Sequence, residues 1–164
     1  MLAGQGFEVT CIGRKLPGSP DLKVRSFRHI RFRMLFTGGA LFYACYNTRL
    51  FFTLLFARKP GLFIANDLDT LPANYLAGRL RRVPLIYDSH ELFTQVPELL
   101  DRKTIQTIWK WIEYLMLPKL EHAVTVNYSI ATIYRRLYGT RFRVVRNVPF
   151  RLDAPERKEK VDGK

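Results

Sequence analysis

The chain has 164 residues, of which 48% are hydrophobic and 25% are charged, so one globular domain with a hydrophobic core is expected and a disordered protein is excluded. The 27 Lys and Arg against 14 Asp and Glu give a net charge of +13. An anionic partner or surface is therefore expected, and nucleic acid, a membrane leaflet and phosphorylated substrates all satisfy that description.

The N-terminus and the cysteines indicate the compartment. The first residues lack the basic flank and the apolar run of a signal peptide, which predicts a cytoplasmic protein. Cys11 and Cys45 are far apart, and no CxxC or Cys/His cluster indicates a metal site. Each cysteine is expected to be a small buried hydrophobe in a reducing compartment.

The first third of the chain combines a strand with a dense set of cations. Residues 2–6 resemble the end of a helix with its glycine stop, and residues 7–12 form a predicted strand. A loop and a short edge strand follow. We interpret four of their cations as a candidate anion-binding patch, with a solvated face as the simpler alternative: Arg25, Arg28, Arg31 and Arg33.

Residues 34–57 are strongly apolar and aromatic, and their length would allow a membrane span. Gly38 and Gly39 interrupt the run, however, and Asn47 and Arg49 lie inside it. A buried crossover helix over about residues 41–58 is therefore favoured. A helix that lies on a membrane surface remains an alternative, because cations flank the apolar stretch on both sides.

Two apolar strands, over residues 62–65 and 85–87, are each followed at once by polar side chains. Open α/β sheets place their ligands at the carboxyl ends of such strands. A helix with Thr70 as its N-cap separates the two strands, and its apolar face is expected to comprise Leu71, Tyr75, Leu76 and Leu80. The polar groups that end the strands are Asn66, Asp67, Asp88, Ser89, His90 and Glu91. The simpler interpretation of Asp88 to Glu91 is a capped turn that contains an ordinary loop histidine.

The rest of the chain continues the alternation of helices and strands. Predicted helices cover residues 104–117 and 129–138, and predicted strands cover residues 123–126 and 143–146. Trp109 and Trp111 are expected to be packing residues and not ligand-binding residues. Apolar strands that alternate with helices predict an α/β fold, a Rossmann-like parallel sheet with helices on both faces.

Taken together, several strings resemble the N-terminal half of a family 4 glycosyltransferase of the GT-B architecture. They occur in that family's order and cover nearly the whole chain: GFEVTCIGR, ANDLDTLPANYLAGRL, PLIYDSHELF, HAVTVNYSIA and VVRNVPF. Residues 1–150 would then form the N-terminal domain, and residues 151–164 a polar linker or tail toward a C-terminal domain.

The resemblance implies transfer of a sugar from a nucleotide-sugar to a glycan or lipid-linked acceptor, with no metal. Its candidate catalytic residues are His90, Asp88 and Glu91. Asn66 and Asp67 match the acceptor-side loop of the family. Asn127 and Ser129 match a loop that faces the cleft, and Asn147 and Pro149 match the interdomain hinge.

Two departures from the family pattern affect these expectations. We expect the family's first strand, with its glycine-rich loop, to be missing, and likewise the C-terminal domain that would bind the nucleotide-sugar donor. We therefore expect a fragment that binds no cofactor by itself and is inactive alone. We also expect a gap at the centre of its sheet, which would make the isolated chain aggregate, dimerise or close the gap by direct pairing.

Two functions of another class remain open. A non-catalytic module could bind an anionic membrane through the cations and the aromatic helix. Nucleic-acid binding is supported by net charge alone, because the aromatics lie in apolar runs and do not alternate with the cations.

Overall fold

The computed structural model describes residues 2–148, except the side chains of Glu98 and Leu100, and confirms the α/β fold with parallel strands. The described strands are β1 Thr10–Lys15, β2 Arg28–Arg33, β3 Phe63–Asn66, β4 Leu85–Ser89, β5 His122–Thr125 and β6 Arg143–Val144. The described α-helices are α1 Gly39–Leu55, α2 Leu71–Arg81, α3 Pro97–Leu100, α4 Lys103–Met116 and α5 Tyr128–Tyr138. Short 3₁₀ turns cover Ala3–Gln5, Phe93–Gln95 and Leu117–Lys119.

The strands form two separate parallel sheets. One contains β1 and β2, and the other has the order β3-β4-β5-β6. Over residues 2–148, no ladder joins the two sheets, so direct pairing between β1 and β3 does not occur. Helix α1 packs against both, because Tyr46 and Leu50 lie in one core cluster with Phe32 of β2 and Phe63 of β3. The sheets therefore share a helix layer without sharing backbone hydrogen bonds.

The larger sheet buries alternate residues, as the two-residue period of a strand requires. Phe63 and Ala65 are buried, whereas Ile64 and Asn66 are exposed. Ala65 is in register with Tyr87 and, through it, with Ala123, and both of these are buried as well. This face carries the second core cluster, in which Trp109, Leu117 and Tyr134 cover the strands.

Helix α2 faces the core with its small residues, not with the leucines that its sequence pattern favoured. Leu76 and Leu80 are exposed, whereas Ala77 and Gly78 are buried. A Cβ atom on Gly78 would lie 3.1 Å from the Val83 carbonyl oxygen, so a larger residue there would press against the backbone of the turn that follows the helix. The predicted apolar face of α2 was thus right for Leu71 and for the half-buried Tyr75, which packs against the second core cluster, and wrong for Leu76 and Leu80.

The two tryptophans of α4 differ in burial. Trp109 packs in the core at 5% exposure, whereas Trp111 is 63% exposed. Side chains two residues apart on a helix point in nearly opposite directions, so only one of the pair can face the sheet. Cys11 and Cys45 are both free and exposed, which contradicts their predicted burial.

No helix within residues 2–148 is long and apolar enough to cross a membrane.

Candidate functional site

The loops after β3, β4 and β5 leave one edge of the larger sheet. The three strands are parallel neighbours, and Asn66 is in register with Asp88 while Ser89 is in register with Thr125. Parallel strands in register end together, so the polar groups at their carboxyl ends share a rim. The sequence predicted this arrangement from the strand ends alone.

The rim brings His90 between two carboxylates. The backbone N–H of His90 donates to Asp67 Oδ1 at 3.1 Å. The imidazole Nδ1 lies 3.5 Å from Asp67 Oδ2, and Nε2 lies 3.7 Å from Asp88 Oδ2. The His90 side chain keeps 43% of its surface exposed. A proton on either ring nitrogen is therefore near a carboxylate, while the ring remains accessible to a ligand.

The backbone of Asp67 is in the left-handed region, with φ of 59°. Its N–H donates to the Asp88 carbonyl oxygen at 2.8 Å, which extends the β3–β4 ladder by one bond. Aspartate tolerates this conformation better than most residues with a side chain. The turn directs the Asp67 carboxylate across to His90 on the neighbouring loop.

Two carboxyl groups of the rim have perturbed acidity. Burial raises the pKa of Asp88, although nearby His90 opposes the shift. Burial, together with the charge of Asp67, raises the pKa of Asp69 to about 6. Two neighbouring loops thus each hold a carboxyl group that retains its proton at higher pH than usual, a property found at many functional sites.

Asp69 was not among the predicted site residues, although the sequence shows it two positions after Asp67. Its backbone is held by a distant part of the chain. Asn47 of α1 donates through Nδ2 to the Asp69 carbonyl oxygen at 2.8 Å and to the Tyr43 carbonyl oxygen at 3.0 Å. Asn47 Oδ1 accepts from the backbone N–H of Ala73 at 3.2 Å and so caps α2 from outside. The only local signal was a second aspartate close to Asp67, separated from it by Leu68.

Thr70 precedes α2 but does not cap it through its side chain. Its Oγ1 donates instead to the Asn66 carbonyl oxygen at 2.8 Å. Thr70 therefore occupies the predicted N-cap position, but Asn47 and not Thr70 accepts a hydrogen bond from the first turn of α2.

The remaining predicted residues have varied surroundings. Asn127 is the N-cap of α5, where its Oδ1 accepts from the Ile130 N–H at 2.9 Å. Ser129 is exposed in the first turn of α5, and Glu91 is exposed beside His90. Asn147 is exposed after β6. Pro149 lies outside the described residues.

A comparison with protein families finds a match over residues 1–148 to the model described as Glycosyltransferase Family 4. The chain belongs to glycosyltransferase family 4. A comparison with curated proteins finds no match. The rim that contains His90 is thus part of a glycosyltransferase family 4 domain with a Rossmann-like α/β architecture.

In this family 4 domain the four predicted patch arginines do not form one surface. Arg28 and Arg31 are three residues apart on β2 and therefore project from opposite faces of the strand. Arg31 donates to the Pro20 carbonyl oxygen at 3.0 Å, and Arg25 lies over the ring of Phe27. Arg33 is exposed at the end of β2. Arg28 thus lies on one face of β2, and Arg31 and Arg33 lie on the other.

Proposed function

We propose that the chain is the acceptor-binding, N-terminal domain of a GT-B glycosyltransferase that transfers a sugar from a nucleotide-sugar to a glycan or lipid-linked acceptor. The observation that carries the proposal is the position of His90 between Asp67 and Asp88 at the carboxyl edge of a parallel sheet. Paired carboxylates and an exposed imidazole are suitable partners for sugar hydroxyls. The carboxylate oxygens accept hydrogen bonds, and a neutral imidazole donates through one ring nitrogen and accepts through the other.

His90 would act on the acceptor hydroxyl. An accessible ring nitrogen can accept the proton that the hydroxyl loses when its oxygen forms the new glycosidic bond, as the bond between the donor sugar and its diphosphate breaks and the nucleoside diphosphate leaves. A carboxylate beside the ring stabilises the resulting imidazolium. Asp67 is suited to this stabilising role because it binds both the backbone and the ring side of His90. Glu91 and Asn66 would extend the acceptor surface on either side.

The donor would be held elsewhere. The resemblance to family 4 implies a second domain for the nucleotide-sugar, so the proposal assigns to these residues the acceptor side of the cleft and no donor site. The isolated chain is accordingly expected to be inactive. Asn147 and Pro149 would then belong to the connection between the domains.

The test is sugar transfer by a complete enzyme that carries this domain. We expect His90→Ala to lower turnover by at least ~10²-fold with little change in stability, because it removes a polar group that acts near the transition state. His122→Ala is the matched control, since His122 is also exposed but begins β5 at the opposite end of the sheet. Unchanged turnover in His90→Ala would leave His90 as an ordinary loop histidine.

A second candidate function, attachment to an anionic membrane, is favoured by the loop between β2 and α1. Leu35 is 96% exposed there and Phe36 is exposed as well, and Leu41 is exposed in the adjoining first turn of α1. Arg14 reaches this loop, because its Nη1 donates to the Thr37 carbonyl oxygen at 3.3 Å. Apolar side chains beside cations suit the interface of an anionic leaflet.

Sedimentation with liposomes tests this candidate. We expect the chain to sediment with vesicles that contain phosphatidylglycerol and to stay in solution with vesicles of phosphatidylcholine alone. Indifference to both would reject the membrane function and leave the transfer function untouched.

A further inference from the structure

A set of buried hydroxyl groups lies directly beneath the loop that carries His90. Ser89 is fully buried, and its Oγ donates to the Glu91 carbonyl oxygen at 2.8 Å. The hydroxyl of Tyr134, on α5, lies 3.1 Å from Ser89 Oγ and 3.3 Å from the same carbonyl oxygen. The residues on both sides of His90 are therefore held from below by one buried tyrosine.

The far end of the loop is held by a buried carboxyl group. Thr94 Oγ1 donates to Glu113 Oε2 at 3.1 Å, and the Tyr138 hydroxyl donates to the same oxygen at 2.6 Å. Gln106 Nε2 donates to the Thr94 carbonyl oxygen at 2.7 Å. Glu113 is 1% exposed, and within residues 2–148 it forms no ion pair. Burial accordingly raises its pKa.

Burying such a network in a core costs free energy that an apolar core would not. A buried carboxyl group without an ion-pair partner loses its hydration, and apolar residues of similar volume would stabilise a core at least as well. What hydroxyl and carboxyl groups add is direction, because each hydrogen bond fixes two atoms at a set distance and angle. Here the fixed atoms belong to residues 89–94, on both sides of His90.

We propose that Tyr134 and Glu113 are positioning residues, which hold the loop from Ser89 to Thr94 so that His90 stays between Asp67 and Asp88. This inference rests on the proposed function, since it takes His90 as the group that must be placed. Tyr134 acts on the Glu91 carbonyl, and Glu113 acts on Thr94. In this role neither side chain touches a substrate.

The alternative is that Tyr134 is only a packing residue. Its ring stacks on Phe142 with centroids 4.5 Å apart, and that contact contributes to the core whether or not a hydroxyl is present. Tyr134→Phe keeps the ring and removes only the hydroxyl, so it separates the two roles. Tyr128→Phe is the matched control, because Tyr128 begins the same helix but its side chain is exposed.

The experiment uses NMR spectroscopy of the 164-residue chain. In Tyr134→Phe we expect the amide protons of His90 and Glu91 to exchange with solvent about tenfold faster, as loss of a buried hydrogen bond predicts, and the imidazole signals of His90 to shift. The amides of β5 should keep their wild-type rates, and Tyr128→Phe should match the wild type throughout. In Glu113→Gln, which keeps the shape of the side chain, the amide exchange of Thr94 should change more than that of the other loop residues.

Two results would overturn the inference. One is an unchanged His90 environment in both Tyr134→Phe and Glu113→Gln. The other is an equal acceleration at every amide, which would mean lost stability and not lost positioning. A third result is that the loop loosens in Tyr134→Phe while the turnover of the complete enzyme is unchanged by His90→Ala. That result would reject the proposed function and retain the mechanical link between Tyr134 and the loop.

Discussion

The two sheets of this domain differ in how firmly their residues are held. Three strands of the larger sheet, β3, β4 and β5, contribute fully buried residues, and helices α2, α4 and α5 connect its strands. In the β1–β2 sheet only Phe32 is buried, and its two strands are joined by a loop over residues 16–27. The candidate site lies on the larger sheet, and the predicted cationic patch lies on the β1–β2 sheet.

The difference is informative about the role that each region can have. A proton transfer needs its groups fixed to within a fraction of an ångström, and the larger sheet fixes Asp67, Asp88 and His90 through backbone bonds and a packed core. Attachment to a charged surface needs no such precision, because Coulomb attraction depends weakly on angle. The loosely packed sheet therefore suits the proposed membrane contact, and the tightly packed sheet suits the proposed chemistry.

Removal of the core tryptophan should give the largest effect. Trp109→Ala is expected to lower the free energy of unfolding by about 3 to 5 kcal/mol, because Trp109 packs edge-on against Tyr43 and Phe93 beneath the larger sheet. Urea denaturation followed by circular dichroism measures the change. Trp111→Ala, on the exposed side of the same helix, should change stability by less than about 0.5 kcal/mol.

Hydrogen exchange in the same variant sharpens the comparison. If the two sheets unfold separately, the amides of β4 and β5 should lose protection in Trp109→Ala while those of β1 and β2 keep their already faster rates. Uniform loss across both sheets would show that α1 couples them into one unfolding unit.

The cationic patch should give an effect of similar size in a different measurement. Replacement of Arg25, Arg28, Arg31 and Arg33 by Ser is expected to weaken binding to anionic vesicles by up to about 4 kcal/mol at low salt and by much less at high salt. Because these arginines do not share one face, single replacements should show unequal losses. Equal losses would indicate a diffuse field with no preferred orientation on the membrane.

A smaller effect is expected from the pH dependence of stability. Burial raises the pKa of Asp69 to about 6, so between about pH 4 and 6 the native chain holds a proton that the unfolded chain releases. Stability should therefore fall as pH rises through this interval, by up to about 3 kcal/mol relative to Asp69→Asn. Thermal unfolding across that range measures the difference. Asp101→Asn, at an exposed position, should follow the wild-type profile.

The strands and the shared rim were predictable because both depend on local signals. A short β-rich apolar run forms a strand, and parallel strands bring the residues after their carboxyl ends to one edge, so Asp67, Asp88 and His90 could be grouped without coordinates. The perturbed Asp69 could not be found this way, because Asn47 and Tyr43 approach it from 22 and more residues away along the chain. The buried face of α2 escaped for a similar reason, since closeness to Val83 and not hydrophobicity selected Gly78.

The side chain of Asn47 joins the two regions. It is anchored on α1, whose apolar residues lie against both sheets, and it reaches the Asp69 carbonyl and the first turn of α2. A slide of α1 by one residue along its axis would displace that amide by about 1.5 Å, enough to break both hydrogen bonds. Asn47 thus couples the position of α1 to the loop from Asp67 to Thr70, so a displacement of α1 is expected to disturb that loop first.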